Sequence, residues 1–325
     1  MTASAEHLKA LLSAHAAGDN DRFYSIAMQV AAKSARQGHG KLAVELRELI
    51  DSAKAEKIPR LSPTPVVQPR GELANLLTAG YSDTRLDDMT LAPEVRLLLD
   101  KVLHEQRQRG RLERFGFTPV HRLLLSGPPG TGKSMTAAAL AKELGLPLFT
   151  IRLDGLISRF MGETASKLRT VFEAAAATRA VYLFDEFDAL GADRGAGNDV
   201  GEARRILNSF LLFLDQAPPE SLVVAATNHR QLLDRALFRR FDLAVLYAAP
   251  STEQAIEVLR RRLSGMSTAA VRWSEFAART DQLSQAELVQ AAESAAKRAI
   301  LGGDDVIEHQ HVADALDERH SLRHA

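Results

Sequence analysis

The sequence predicts an α/β protein: a parallel sheet covered by helices, followed by a small helical lid domain and preceded by a small all-helical N-terminal unit. Three observations carry this. Short apolar runs alternate with helical patterns from about residue 93 to residue 248, the apolar runs stop after Pro250, and residues 5–57 carry only helical periodicity. Alternation of the two periods marks a parallel sheet with both faces covered.

At the start of the chain, Leu8, Leu11 and Leu12 form one apolar stripe, Phe23, Ile26, Ala27 and Val30 a second, and Leu42, Leu46, Leu49 and Ile50 a third. Gly18-Asp19-Asn20-Asp21 and Gly38-His39-Gly40 separate them. The pattern predicts a helical hairpin or three-helix unit over 1–58, suited to binding a substrate or partner. Pro59, Pro63, Pro65 and Pro69 then predict an extended linker over 59–92. Strands are expected at 122–126, 148–153, 180–184, 221–227 and 243–248, within a large domain spanning 93–249. Helices at 252–263, 273–279, 284–300 and 309–319 make the lid, 250–325.

Composition excludes several kinds of chemistry. There is no cysteine, hence no disulfide, thiolate zinc site or cysteine nucleophile. Forty-one basic residues balance 41 acidic ones, which gives no global support for a nucleic-acid or membrane surface. No run approaches transmembrane length, and Met1-Thr2-Ala3-Ser4-Ala5-Glu6 lacks the basic start of a signal peptide, so the cytoplasm is the expected location.

The strand Arg122-Leu123-Leu124-Leu125-Ser126 runs into Gly127-Pro128-Pro129-Gly130-Thr131-Gly132-Lys133-Ser134-Met135 and then a helix. This is the P-loop pattern in its required context. Glycines let backbone N–H groups turn inward on phosphates, and the helix N-terminus adds a positive dipole end. Lys133 is expected on the β- and γ-phosphates of a nucleoside triphosphate, and the Ser134 hydroxyl on Mg²⁺. The apolar strand Val181-Tyr182-Leu183-Phe184 ends in Asp185-Glu186, where a buried strand can first present charge. Asp185 suits the Mg²⁺ shell, and Glu186 suits a general base on the attacking water. A third strand ends in Asn228, which can orient that water, contact the γ-phosphate, or serve simply as a strand-end turn residue. Adjacent Arg239-Arg240, taken alone, read as a solvated surface pair.

Taken in order, GPPGTGKS, FDEFDAL, AATN, LLDRALFRRFD and Leu283-Ser284-Gln285-Ala286-Glu287-Leu288 resemble the AAA+ family, in the AAA clade with its second region of homology, over about residues 85–300. The adjacent arginines resemble the katanin, spastin and fidgetin branch; many other AAA proteins place Pro-Gly between theirs. The resemblance implies the P-loop NTPase fold, ATP hydrolysis, and a homo-oligomeric ring, commonly a hexamer, with Arg239 and Arg240 projecting onto a neighbour's nucleotide. It also implies that Phe160, Met161 and Gly162 line a central pore and grip a protein client, although Leu156, Ile157, Phe160 and Met161 equally form a core stripe. The glycine-rich 194–200 matches the second pore loop by position only. The expected function is ATP-driven remodelling, unfolding or threading of a protein client. An ATP-gated switch docking a partner protein, such as a separate protease, is the alternative. No protease motif stands in the chain, and the missing arginine at the lid helix start counts against a nucleic-acid-acting ATPase.

Overall fold

The computed structural model describes residues 9–10, 20–36, 43–44, 69, 71–156, 163–190, 199–229, 235–303 and 305–324. Phe160, Met161 and Gly162, glycine-rich residues 194–198, and the first and third N-terminal stripes apart from their edges lie outside these residues. The chain divides into two units, 1–60 and 61–325. In the first, helix α1 (Asn20–Arg36) carries Phe23, Ile26, Ala27 and Val30 half-buried along one stripe, as its periodicity implies.

The second unit is built on a six-stranded sheet, β1 (Leu77–Gly80), β2 (Arg122–Ser126), β3 (Leu148–Ile151), β4 (Val181–Phe184), β5 (Leu222–Thr227) and β6 (Leu243–Leu246), in the order β1-β3-β4-β5-β2-β6. Strands β2 to β6 are parallel, and all five occupy the runs expected from apolarity. Every residue of β4 and β5 is buried, which is why these strands lack polar alternation.

The two-residue strand period splits the core in two. Leu124, Tyr182, Phe184, Val223 and Ala225 face one side, against helices α7 (Glu163–Ala177) and α8 (Asp199–Asp215). Phe172, Phe184 and Phe210 pack there with ring centroids 5.0–5.7 Å apart. Leu123, Leu125, Val181, Leu183 and Val224 face the other side, against α3 (Pro93–Arg107) and α5 (Lys133–Leu144). Short helices α2 (Leu73–Leu76), α4 (Arg109–Arg114), α6 (Leu153–Leu156) and α9 (Arg235–Phe238) fill the connections.

Residues 73–92 correct the linker expectation. There α2, β1 and a 3₁₀ turn (Leu86–Asp88) pack onto the sheet, burying Leu76, Leu77, Leu86 and Met89. Strand β1 pairs antiparallel with β3, from Leu77 opposite Ile151 to Gly80 opposite Leu148.

Helices α10 (Thr252–Arg262), α11 (Gln285–Gly302) and α12 (His309–His324) share a separate apolar core. Ser251 and Ser284 cap α10 and α11 in capping boxes with Gln254 and Glu287, and Gly303 ends α11 in a left-handed turn. The helix expected at 273–279 is a 3₁₀ turn, Trp273–Phe276, whose three-residue period sets Trp273 edge-on to buried Phe276. His309 stacks on Phe276 with ring centroids 4.6 Å apart.

Candidate active site

Strand β2 delivers the chain to the crevice beside β5, and the loop after it turns tightly. A Cβ on Gly127 would lie 2.4 Å from the Tyr247 carbonyl oxygen, so no side chain fits there. Gly130 and Gly132 hold φ of +73° and +92°, and Gly132 caps α5. Thr131 Oγ1 donates to the Pro128 carbonyl at 2.8 Å, closing the loop across Pro129. Below it, Thr136 Oγ1 gives its one proton to the Gly132 carbonyl at 3.0 Å. The Tyr247 hydroxyl, 2.6 Å away, is therefore the donor to Thr136, and burial pushes that phenol up to about 12.

Lys133 is buried and donates Nζ to the carbonyls of Gly127 at 2.9 Å and Pro128 at 2.7 Å. Burial holds this ammonium below its ordinary value, against the pull of Asp185 and Asp188. Ser134 Oγ donates to Asp185 Oδ2 at 2.5 Å, joining the start of α5 to the end of β4. Hydroxyl and carboxylate oxygens together are the donor set a hard divalent cation prefers. Met135, the last residue of the loop pattern, stands 41% exposed on the next position of the helix.

Glu186 is exposed, with φ of +50°, and its N–H donates to Asp185 Oδ1 at 2.9 Å. A glutamate in the left-handed region is uncommon and marks a constrained position beside the loop. Asp188 was not singled out from the sequence. In the 3₁₀ turn Phe187–Leu190 its Oδ1 accepts from Thr227 Oγ1 at 2.9 Å and from the Asn228 N–H at 3.3 Å. The end of β4 thereby holds the end of β5, with Asn228 half-buried between them.

The lid reaches the same loop. The Ala286 N–H donates to the Gly130 carbonyl at 3.1 Å, and Gln285 Nε2 to the Thr90 carbonyl at 2.8 Å. Met89, Gly132 and Gln285 converge here: a Cβ on Gly132 would meet Met89 Cε at 3.2 Å and Gln285 Oε1 at 3.7 Å.

Arg239 and Arg240 are elsewhere. They precede β6, which begins beside Leu123, whereas the loop follows Ser126. Arg240 pairs with Asp215, itself 3.6 Å from Arg122 at the first position of β2. Five strand residues, roughly 13–17 Å at about 3.3 Å each, separate that end from the loop. A cavity of ≈ 380 Å³ opens at this far end, lined by His121, Arg122, Asp215 and Asp242 among others, away from the phosphate loop.

Comparison with known proteins gives the family. The AAA family, "ATPase family associated with various cellular activities", matches residues 123–248. An uncharacterized AAA family ATPase of Sinorhizobium fredii is 33% identical over 269 residues, covering 82% of this chain and 81% of that protein. ATP-dependent zinc metalloproteases FtsH from Sphaerobacter thermophilus and Helicobacter pylori are 33% and 32% identical over 76% of this chain. This chain spans only 52% and 41% of their lengths. It carries no His-Glu-x-x-His: His104-Glu105 is followed by Gln108 where the second zinc histidine would stand. Among the described residues, no cluster of three metal-ligating side chains occurs and no helix is long and apolar enough to cross a membrane. With a phosphate loop on β2, paired carboxylates ending β4, and a relative matched along four-fifths of both chains, the protein belongs to the AAA family and is an ATPase.

Proposed function

We propose that this chain is a subunit of a homo-oligomeric ring, a hexamer in the arrangement common to the family, that hydrolyses ATP to remodel a protein client. The observation that carries the reading is the separation of the arginine pair from its own phosphate loop. The transition state of phosphoryl transfer spreads charge over the γ-oxygens and calls for a further cation. Arg239 stands exposed at the opposite end of the sheet, so a neighbouring subunit's nucleotide is the one within its reach.

Within one subunit, the loop N–H groups and Lys133 would bind the phosphates, and Ser134 and Asp185 would hold Mg²⁺, which neutralises charge on the β- and γ-oxygens when bound. Glu186, exposed beside this pair, takes the proton of the attacking water, and Asn228 orients that water. Asp188 keeps Asn228 in place. Phe160, Met161 and Gly162 would grip the client, with the N-terminal helices selecting it. The adjacency of Arg239 and Arg240 supports a place beside katanin, spastin and fidgetin; the likeness to FtsH supports a protein client.

Mixed rings test the reading. A Lys133→Ala subunit lacks its own turnover but keeps its arginines, and an Arg239→Ala subunit has the converse defect. In equal random mixtures, about a quarter of sites pair an intact loop with an intact arginine, because each of two conditions is met half the time in a head-to-tail ring. Activity near a quarter of the wild-type rate is expected. Stable mixed rings without any recovery would show that Arg239 acts within its own subunit or not at all.

A further inference from the structure

The two arginines have different surroundings. Arg240 bonds to the Asp215 carboxylate at the C-terminus of α8, and the other oxygen of Asp215 lies 3.6 Å from Arg122 Nη1. Arg122 is held in turn by Asp242, through Nη2 at 2.5 Å and Nε at 3.0 Å. The second oxygen of Asp242 accepts the His121 and Arg122 N–H groups, each at 3.0 Å. An unbroken series of alternating charges therefore joins Arg240 to the first residue of the strand that bears the phosphate loop. Arg239 is exposed, and among the described residues no hydrogen bond or ion pair joins it.

The backbone between them has little freedom. Leu237 and Phe241 are both buried in the core, on either side of the pair. The Arg240 N–H donates to the Leu237 carbonyl at 3.0 Å, so the segment keeps a helical turn. On such a three-residue turn neighbouring side chains diverge by roughly 120°. With Arg240 drawn onto Asp215, Arg239 is turned outward.

We propose that the pair is divided in role: Arg239 alone reaches the neighbouring nucleotide, and Asp215, by anchoring Arg240, is the positioning residue that aims it. This rests on the reading that Arg239 acts across the subunit interface. An isolated, half-exposed ion pair contributes little to stability. This pair is one member of a network whose next link, Arg122 to Asp242, is two-pronged and mostly covered, which fixes direction at small additional entropic cost.

The test is a set of full-length rings: Asp215→Asn, Arg240→Ala and the double variant. Steady-state ATPase gives kcat and KM, and thermal unfolding monitors folding. Each single change should lower kcat about tenfold with KM for ATP within about twofold, since aim matters only in the transition state. The double variant should be no worse than the worse single one, as coupled partners behave. Normal turnover in Asp215→Asn overturns the proposal. So does faster turnover, which would mean that Asp215 sequesters a working Arg240, and so do losses that multiply in the double variant. Failure of the interface reading appears elsewhere, as absent rescue of Arg239→Ala by Lys133→Ala subunits. Failure of this inference leaves that rescue intact while Asp215→Asn rings turn over normally.

Discussion

Gly130 offers a perturbation whose cost can be worked from two sources and separated by a matched control. Its φ of +73° costs a side-chain-bearing residue roughly 1–2 kcal/mol. Its Cβ would also lie 2.7 Å from Ser284 Oγ, 3.0 Å from Ser284 Cβ and 3.1 Å from Ala286 Cβ. To restore ordinary contact, the lid helix start must retreat by about 0.7 Å, weakening the Ser284 cap, which is worth about 1 kcal/mol, and lengthening the Ala286 to Gly130 bond. Gly116 has φ of +78° and nothing within 4 Å of its would-be Cβ. Gly116→Ala therefore carries the backbone strain alone. It should destabilise the fold by roughly 1–2 kcal/mol, a fall of several degrees in unfolding midpoint, and leave ATP affinity unchanged. Gly130→Ala should carry the same strain and also displace the lid from the nucleotide side of the loop. At about 1.4 kcal/mol per factor of ten, the roughly 1 kcal/mol lost at the lid contact lowers ATP affinity about fivefold, while the backbone strain, common to free and bound protein, appears only in stability. Equilibrium titration with a fluorescent ATP analogue, beside thermal unfolding, reads both quantities. If Gly130→Ala binds within about threefold of Gly116→Ala, the loop and lid are not coupled as described.

Other outcomes follow from the same geometry. Lys133→Ala should lose most ATP binding, whereas Glu186→Gln should keep it and lose turnover; comparable binding losses in a filter assay would refute the role of Glu186 as base. Burial raises the Asp242 carboxyl, but the bonds from His121 and Arg122 outweigh it and hold the group well below its ordinary value of 3.8. Its stabilisation is therefore complete above about pH 4 and is lost as pH falls toward the folded-state value, so Asp242→Asn should be less stable at pH 7 and lose less between about pH 4 and 2 in urea unfolding. Phe160→Ala should abolish client remodelling with an unchanged unfolding midpoint; a loss of roughly 3–5 kcal/mol in stability would place Phe160 in the core instead.

The parts legible in the sequence were those with local signals. Strands β2, β4 and β5 announced themselves as apolar runs because both faces of the sheet are covered there, and the glycine loop did so because close backbone approach leaves no other residue possible. Strand β1 gave no such signal. Leu77-Thr78-Ala79-Gly80 is short and follows a proline-rich stretch, and it is a strand because β3 pairs with it from some 70 residues away. Asp188 and Asp215 were invisible for a related reason. An acidic residue looks alike in solvent and in a network, and only the partners distinguish the two: Thr227 is 39 residues distant from Asp188, and Arg240 is 25 from Asp215. The lid contact on Gly130 likewise joins residues that no periodicity relates.

The self-bonded Lys133 has a thermodynamic consequence. Its ammonium rests on two carbonyls of the loop it serves, so the loop is held in shape by the same cation that would meet the phosphates. Binding then exchanges neutral acceptors for charged ones, the stronger kind, without first ordering a disordered segment. Such an exchange is expressed in enthalpy. Because little apolar surface changes its exposure at the loop itself, the heat-capacity change of nucleotide binding there would be small.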